Sequence, residues 1–299
     1  MRRRSPYPLH WSFVALAAAG RRSLWAVVLV VLGFELAFEL APRLILPEWN
    51  PFAPMEVTPV TTLVDFASFA VPCAVLLLLV RLVHRRGFWS LVGDPARARR
   101  DLLRVFLWVL AVLLALEPFR IASELPFVER IRDIGLWALW IPAGLAALLI
   151  QVGTEELYFR GYLQQQLGLL SRSRWVWMTI PSVFFGLAHF ANASEPSEAL
   201  VWIVWASALG FACADLTART GTLGAATGLH LANNAIALFV IGMDGRPDSG
   251  LALFLYPFEP FRPSAAEEPL ASAYLVPDLV FALSGVLVMW LAARVAVRR

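Results

Sequence analysis

The alternation of long apolar runs with short polar segments predicts a chain that crosses a membrane several times. A helix needs about 20 residues to cross a hydrocarbon core of about 30 Å, and a backbone in lipid must satisfy its own hydrogen bonds. The runs are too long and continuous for barrel strands, so we predict an all-α, polytopic integral membrane protein. The eight predicted spans are residues 24–46, 61–83, 102–120, 134–156, 175–192, 198–217, 222–242 and 274–295.

The positions of the arginines predict the orientation. All 25 basic residues are arginine, and they flank the apolar runs, so we interpret them as topology signals rather than as a nucleic-acid surface. With both termini in the cytoplasm, 19 of the 25 lie on the inner side. We therefore predict a multi-pass protein of the inner (plasma) membrane with both termini cytoplasmic. The six outer arginines are Arg43, Arg120, Arg130, Arg132, Arg246 and Arg262.

The composition favours one membrane domain. The chain is 59% hydrophobic and 16% charged, whereas soluble proteins are about a quarter charged. The absence of lysine excludes lysine chemistry such as a Schiff base, and two cysteines inside apolar runs, Cys73 and Cys213, indicate neither a disulfide framework nor a cysteine metal site. We predict a cytoplasmic or interfacial N-terminus over 1–23 and a single membrane domain over 24–299, with a catalytic core at about 134–242.

Two pairs of charged residues inside the spans have a structural explanation. Glu39 precedes Arg43 by four residues, and Asp215 precedes Arg219 by four, so each pair shares one helix face. A charge at membrane depth costs roughly 2.5–3.5 kcal/mol, and pairing reduces that cost. We predict an ion pair at each position.

A cluster of polar residues in the second half of the chain indicates a functional site. His189 and His230 lie inside predicted spans, together with the adjacent acids Glu155 and Glu156 and with Asn234. A lone intramembrane histidine is more often a hydrogen-bonding partner between helices. Five such residues on three separate helices favour a catalytic or transport role.

The spacing of the acids separates their roles. Successive residues on a helix differ by about 100°, so Glu155 and Glu156 point to different faces. Glu156 and Arg160 are four apart in the order that favours an ion pair. We predict that Arg160 supports Glu156 and that Glu155 is the free carboxylate, able to act as general base and then as general acid.

The other polar residues complete a hydrolytic site. Phe185 shares a helix face with His189, and His230 shares one with Asn234. We expect His189 to help Glu155 hold and polarise a water, and His230 and Asn234 to donate to the oxyanion of a tetrahedral intermediate. Because no serine or cysteine is arranged as a nucleophile, water is the predicted nucleophile, and amide hydrolysis within a membrane is the predicted reaction.

The sequence resembles the CPBP family, also called the CAAX protease and bacteriocin-processing (Abi) family, which includes the type II CAAX prenyl endopeptidases. Three motifs carry the resemblance, in order: Glu155-Glu-Leu-Tyr-Phe-Arg160, Phe185-Gly-Leu-Ala-His189 and His230-Leu-Ala-Asn-Asn234. The first 130 residues and the last span carry no recognisable motif. The resemblance implies an intramembrane glutamic-type endopeptidase with a cytoplasm-facing site, in which the first glutamate activates water and the third motif lines the oxyanion hole.

Other chemistries and functions use the same residues. Glu155, His189 and His230 could form a zinc site, although the resemblance and Asn234 favour metal-free chemistry without a cofactor. A non-catalytic immunity or peptide-binding protein and a proton-coupled transporter are the competing functions. The predicted partners are the lipid bilayer and a peptide or lipidated protein, not nucleic acid. A prenylated CAAX protein, a bacteriocin or other peptide precursor and a lipoprotein are equally compatible substrates.

Overall fold

Helices dominate the computed structural model, which describes residues 7–20, 23–45, 56–190, 196–257 and 275–298. The α-helices, numbered in chain order, are α1 (His10–Ala18), α2 (Leu24–Ile45), α3 (Pro59–Ser68), α4 (Ala70–Val83), α5 (Trp89–Val92), α6 (Pro95–Glu124), α7 (Ile134–Glu156), α8 (Gln165–Leu170), α9 (Ile180–Leu187), α10 (Pro196–Thr220), α11 (Gly224–Phe239) and α12 (Leu275–Ala296).

Six helical stretches in the described part of the chain are long and apolar enough to cross a membrane. The predicted all-α, polytopic membrane fold is therefore confirmed, but the number of eight spans is not. Two predicted spans are shorter: the helix of the 175–192 segment ends at Leu187, and α11 has only 16 residues. At 1.5 Å per residue α11 is about 24 Å long. The apolar run continues beyond the end of α11 at Phe239, but residues 241–243 form a strand instead of further helix.

A small sheet covers one end of the bundle. Its strands are β1 (Arg130–Ile131), β2 (Ile241–Met243) and β3 (Phe254–Tyr256), with β3 in the centre, antiparallel to β1 and parallel to β2. The stretch 243–273 is rich in proline, which disfavours a long helix. Up to residue 257 it contains a 3₁₀ helix, Pro247–Leu251, and β3, while residues 258–274 lie outside the described part.

Close backbone contact holds α11 against α6. A Cβ atom built on Gly224 would lie 1.9 Å from the carbonyl oxygen of Ala98, and one on Gly228 would lie 2.5 Å from that of Leu102. Larger residues at these two positions would force the helices apart. The contact fixes α11, and therefore His230, in the centre of the bundle.

The helix that carries the adjacent acids is unusually long. After Glu156, α7 continues as a π-helical segment, Leu157–Gln164, and then as α8, so that Ile134–Leu170 is one stretch of 37 residues. The π segment is almost completely buried, with Leu163 as its one half-buried residue. Because π-helical turns are rare and occur often at functional sites, the segment after Glu156 is a structural marker for the site.

The predicted ion pairs outside the site are confirmed. Glu39 and Arg43 lie 3.0 Å apart on an exposed face, and Asp215 and Arg219 lie 2.7 Å apart. Asp215 has a larger role than its spacing indicated, because it also accepts hydrogen bonds from the Tyr7 hydroxyl at 2.8 Å and the Trp290 indole at 3.0 Å. One carboxylate thereby joins the N-terminal segment, α10 and α12.

Candidate active site

Glu155 and Glu156 end α7 and have different surroundings. Both are buried, with exposed fractions of 7% and 0%. Oε1 of Glu156 accepts from Arg160 Nη1 and lies at hydrogen-bond distance from His230 Nδ1, at 2.9 Å in both contacts. Oε2 of each acid is buried without a hydrogen-bond partner among the described residues, so the two acids differ at Oε1. Glu155 is therefore the less neutralised carboxylate, and Glu156 is the one with fixed partners.

Arg160 is enclosed by the same site. Its guanidinium carbon lies 4.7 Å from the centre of the Phe185 ring and 5.7 Å from that of Phe159, in addition to its bond to Glu156. Cation–π contacts and an ion pair both stabilise a desolvated guanidinium. The π segment, in which Arg160 lies, and α9, which carries Phe185, are joined through this side chain.

The contact with Glu156 determines how His230 is protonated. A carboxylate oxygen accepts, so the hydrogen of this bond belongs to Nδ1 of His230. The other ring nitrogen, Nε2, lies 3.6 Å from Oε2 of Glu155. This distance is longer than a hydrogen bond but corresponds to an ion pair when the imidazole carries both protons. His230 therefore lies between the two acids.

His189 reaches this group through Phe185. Its Nδ1 donates to the Phe185 carbonyl oxygen at 2.8 Å, so Nε2 of the neutral ring is an acceptor. The Phe185 ring lies 4.6 Å from the His189 ring and packs perpendicular to that of His230 at 5.5 Å. Within the described part of the chain, no hydrogen bond or ion pair connects His189 directly to Glu155.

Asn234 belongs to a second hydrogen-bonded group that includes Gln151. Nδ2 of Asn234 donates to Oε1 of Gln151 at 3.1 Å, and its Oδ1 accepts from Asn233 at 2.9 Å. Gln151 also interacts with Glu155, one helical turn later on α7. The sequence analysis gave Gln151 no role, although its spacing of four residues from Glu155 placed both on the same face.

Cys213 is the other residue at the site without an assigned role. It is fully buried on α10 and its thiol contacts the Glu156 side chain. Its Sγ also lies 3.8 Å from the Ala226 carbonyl oxygen. Cys73 and Cys213 are both free thiols. Cys213 closes the side of Glu156 that faces α10.

The residues do not form a ready metal site. Over the described ranges, no three His, Cys, Asp or Glu side chains converge as a group that could hold a metal ion. Nδ1 of His230 is directed at Glu156, and His189 lacks a direct contact with Glu155. The alternative zinc ligands, Glu155, His189 and His230, are thus not brought together as a group in the described structure.

Comparison with known proteins identifies the same region. Residues 137–236 match the family model described as type II CAAX prenyl endopeptidase Rce1-like. The chain is also 36% identical over 98 residues to the uncharacterized protein YyaK of Bacillus subtilis (strain 168), a match that covers 32% of each protein. No solved structure gives a significant match. The resemblance indicated by the three motifs is confirmed for the region that carries them.

Proposed function

We propose that this protein is an intramembrane endopeptidase of the CAAX-protease type, which hydrolyses a peptide bond in a membrane-associated or lipidated substrate. The observation that carries the proposal is the contrast between the two acids. Oε1 of Glu156 accepts hydrogen bonds from Arg160 and His230, whereas the described residues give Glu155 neither of these bonds. The family match over residues 137–236 supports the class of reaction.

In the proposed reaction Glu155 activates water. Its carboxylate removes a proton as the water oxygen attacks the carbonyl carbon of the scissile bond, and the glutamic acid then gives that proton to the leaving amine. His189 orients the water through Nε2, the acceptor left by the bond of Nδ1 to Phe185. Glu155 and its proton thus serve both halves of the reaction, and no cofactor takes part.

The negative oxygen of the tetrahedral intermediate needs donors. The amide of Asn234 has two hydrogens, of which one is used by Gln151, so the second is free to donate. His230 donates from Nε2 when both ring nitrogens carry a proton, while Nδ1 keeps its bond to Glu156. Fixed donors in a buried site stabilise an oxyanion more than water does, because they need no reorientation.

We further propose that the protein lies in the inner membrane with both termini in the cytoplasm and with the site open to that side. The distribution of arginines supports this orientation. The substrate is proposed as a class only: a peptide or lipidated protein that reaches the site from the membrane or its surface.

The test uses Glu155→Gln, which keeps size and hydrogen-bonding capacity but removes the base. Purified protein in liposomes is incubated with a library of lipidated and unlipidated peptides, and cleavage is followed by mass spectrometry. We expect the variant to lose about 10²–10⁴-fold in rate while its thermal unfolding stays unchanged. Glu39→Gln, a change in an exposed ion pair, is the matched control and should keep full activity. Cleavage by Glu155→Gln at the wild-type rate would exclude the proposed role.

A further inference from the structure

A largely apolar cavity of about 550 Å³ lies beside the candidate active site. Its walls come from α5, the first two turns of α6, the end of α7 with the start of the π segment, and the start of α11. Gly153 and Leu157, which line it, flank the adjacent acids, while Thr227 lies one turn before His230. None of the residues assigned to the reaction lines the cavity, so it is a separate compartment that shares two helices with the site.

Gly153 keeps this cavity open. A Cβ atom built there would have no atom within 4 Å, so close packing does not require a glycine. Glycine inside a helix costs about 0.5–1 kcal/mol relative to alanine. Gly224, which also lines the cavity, differs, because a Cβ there would collide with Ala98. The missing side chain at Gly153 therefore preserves free volume rather than helix contact.

The entrance to the cavity has the chemistry of a membrane–water interface. Phe88 and Trp89 line it and are 43% and 58% exposed, although they are large hydrophobic residues. Arg99, also exposed, is the only charged residue in the lining. Interfacial aromatic residues beside an arginine at the end of a span are typical of contact with anionic lipid headgroups.

We propose that the cavity binds one membrane phospholipid with an anionic headgroup. An acyl chain occupies the apolar interior against Leu102, Leu157 and Leu223, and the phosphate lies at Arg99. The single cation at the rim and the apolar walls below it complement an amphiphile of this kind in both charge and polarity. The volume falls within the range of about 300–1,000 Å³ that is usual for small-molecule sites.

The position of the lipid connects it to the site. The bound chain contacts α7 beside Glu155 and Glu156 and contacts α11 below His230, so it supports the spacing of the two helices that carry these residues. This lipid binding does not depend on the proposed proteolysis, and either proposal can fail while the other stands.

The direct test is photocrosslinking in nanodiscs. Wild-type protein is reconstituted with phosphatidylglycerol that carries a diazirine on one acyl chain, and crosslinked peptides are mapped by mass spectrometry. We expect labelling concentrated in residues 88–102, 153–157 and 223–227, and much weaker labelling from the matching phosphatidylcholine probe. Labelling spread evenly over the lipid-facing helices, or equal labelling by both probes, would overturn the proposal.

Two variants test the parts of the site separately by native mass spectrometry with added phosphatidylglycerol. Arg99→Gln should weaken binding about fivefold, the contribution of one arginine near an anionic lipid. Gly153→Leu should fill the cavity and abolish the bound lipid, with Gly153→Ala intermediate. Arg104→Gln, which removes an exposed arginine of α6 outside the cavity, is the control. An equal effect of Arg99→Gln and Arg104→Gln would show diffuse surface attraction and contradict a defined site.

Discussion

His230 and Arg160 donate to the same oxygen of Glu156, each at 2.9 Å. One carboxylate thereby fixes a guanidinium four residues later on its own helix and an imidazole from α11. Glu155 receives neither bond, and its Oε2 lies 3.6 Å from Nε2 of His230. Because Glu156 holds two partners and Glu155 is the proposed base, substitution of each acid should have a different consequence.

Glu156→Gln should reduce both stability and activity. Removal of one partner of a buried ion pair typically costs about 3–5 kcal/mol, because the remaining charge is left uncompensated. The guanidinium of Arg160 and the ring of His230 would both lose their anion. We expect a clear fall in the thermal unfolding temperature in detergent, together with loss of cleavage. Glu155→Gln is the comparison and should lose activity alone. If Glu156→Gln unfolds like wild type and cleaves at the same rate, Glu156 does not have the supporting role.

Gln151→Ala should lower kcat with little change in KM. Gln151 binds the Asn234 amide and interacts with Glu155, so its loss allows both side chains to turn away from the orientation that the reaction needs. Loss of one such hydrogen bond, at about 1–3 kcal/mol, corresponds to a decrease in rate of roughly 5- to 150-fold. Gln166→Ala, which removes another buried amide from the same long helix, is the control. A rise in KM at constant kcat would assign Gln151 to substrate binding instead.

Sequence spacing predicted the contacts that lie within one helix. Glu156 with Arg160, Glu39 with Arg43 and Asp215 with Arg219 are all four residues apart, and all are paired. A helical period is enough for such predictions because the partners are local. The same reasoning could not locate the end of α11, because apolar residues continue into β2 without a change in hydropathy.

Sequence spacing could not predict the contacts between helices. His230 with Glu156, Asn234 with Gln151 and Tyr158 with Glu35 join residues that are 74, 83 and 123 positions apart. Such pairs depend on the packing of α7 against α11 and of α2 against the π segment. A single sequence shows which residues are polar at membrane depth, but not which helix faces meet. The three motifs identified the region of the site, and its internal hydrogen bonds came only from the packing.

Tyr158→Phe should destabilise the fold without affecting the chemistry directly. The Tyr158 hydroxyl donates to Oε1 of Glu35 at 2.7 Å and connects α2 to the π segment. Hydrogen bonds to charged groups contribute about 1.5–3 kcal/mol. We expect a loss of this size in the free energy of unfolding. Glu39→Gln, which breaks a largely exposed ion pair, should cost no more than about 1 kcal/mol. Equal losses in the free energy of unfolding would show that the Tyr158–Glu35 contact contributes no more than an exposed ion pair.

Chelation should leave the proposed peptidase activity intact. No zinc ligand set is assembled within the described ranges, and the proposed steps use only Glu155, His189, His230 and Asn234. Purified protein should contain far less than one zinc per chain by elemental analysis, and activity after dialysis against a chelator should equal that of untreated protein. A known zinc protease treated in parallel controls for chelation. One tightly bound zinc per chain, with activity lost on its removal and restored on its return, would favour the metal-dependent alternative.

Docking of α1 should weaken as the pH falls below about 6.5. His10 is fully buried, its ring stacks on Trp177 at 3.7 Å, and burial lowers its pKa from 6.5 to about 4. The docked state therefore favours the neutral ring, whereas an undocked His10 takes up a proton below pH 6.5. The docked state should lose stability as the pH falls from 6.5 towards 4, by about 3 kcal/mol in all.

Hydrogen exchange of residues 10–18, corrected for intrinsic rates, should become faster over this range. Neither ring nitrogen of His10 has a hydrogen-bond partner among the described residues, so His10→Phe loses no such bond and should keep α1 protected at both ends of the range. An equal pH dependence in His10→Phe would place the titrating group elsewhere.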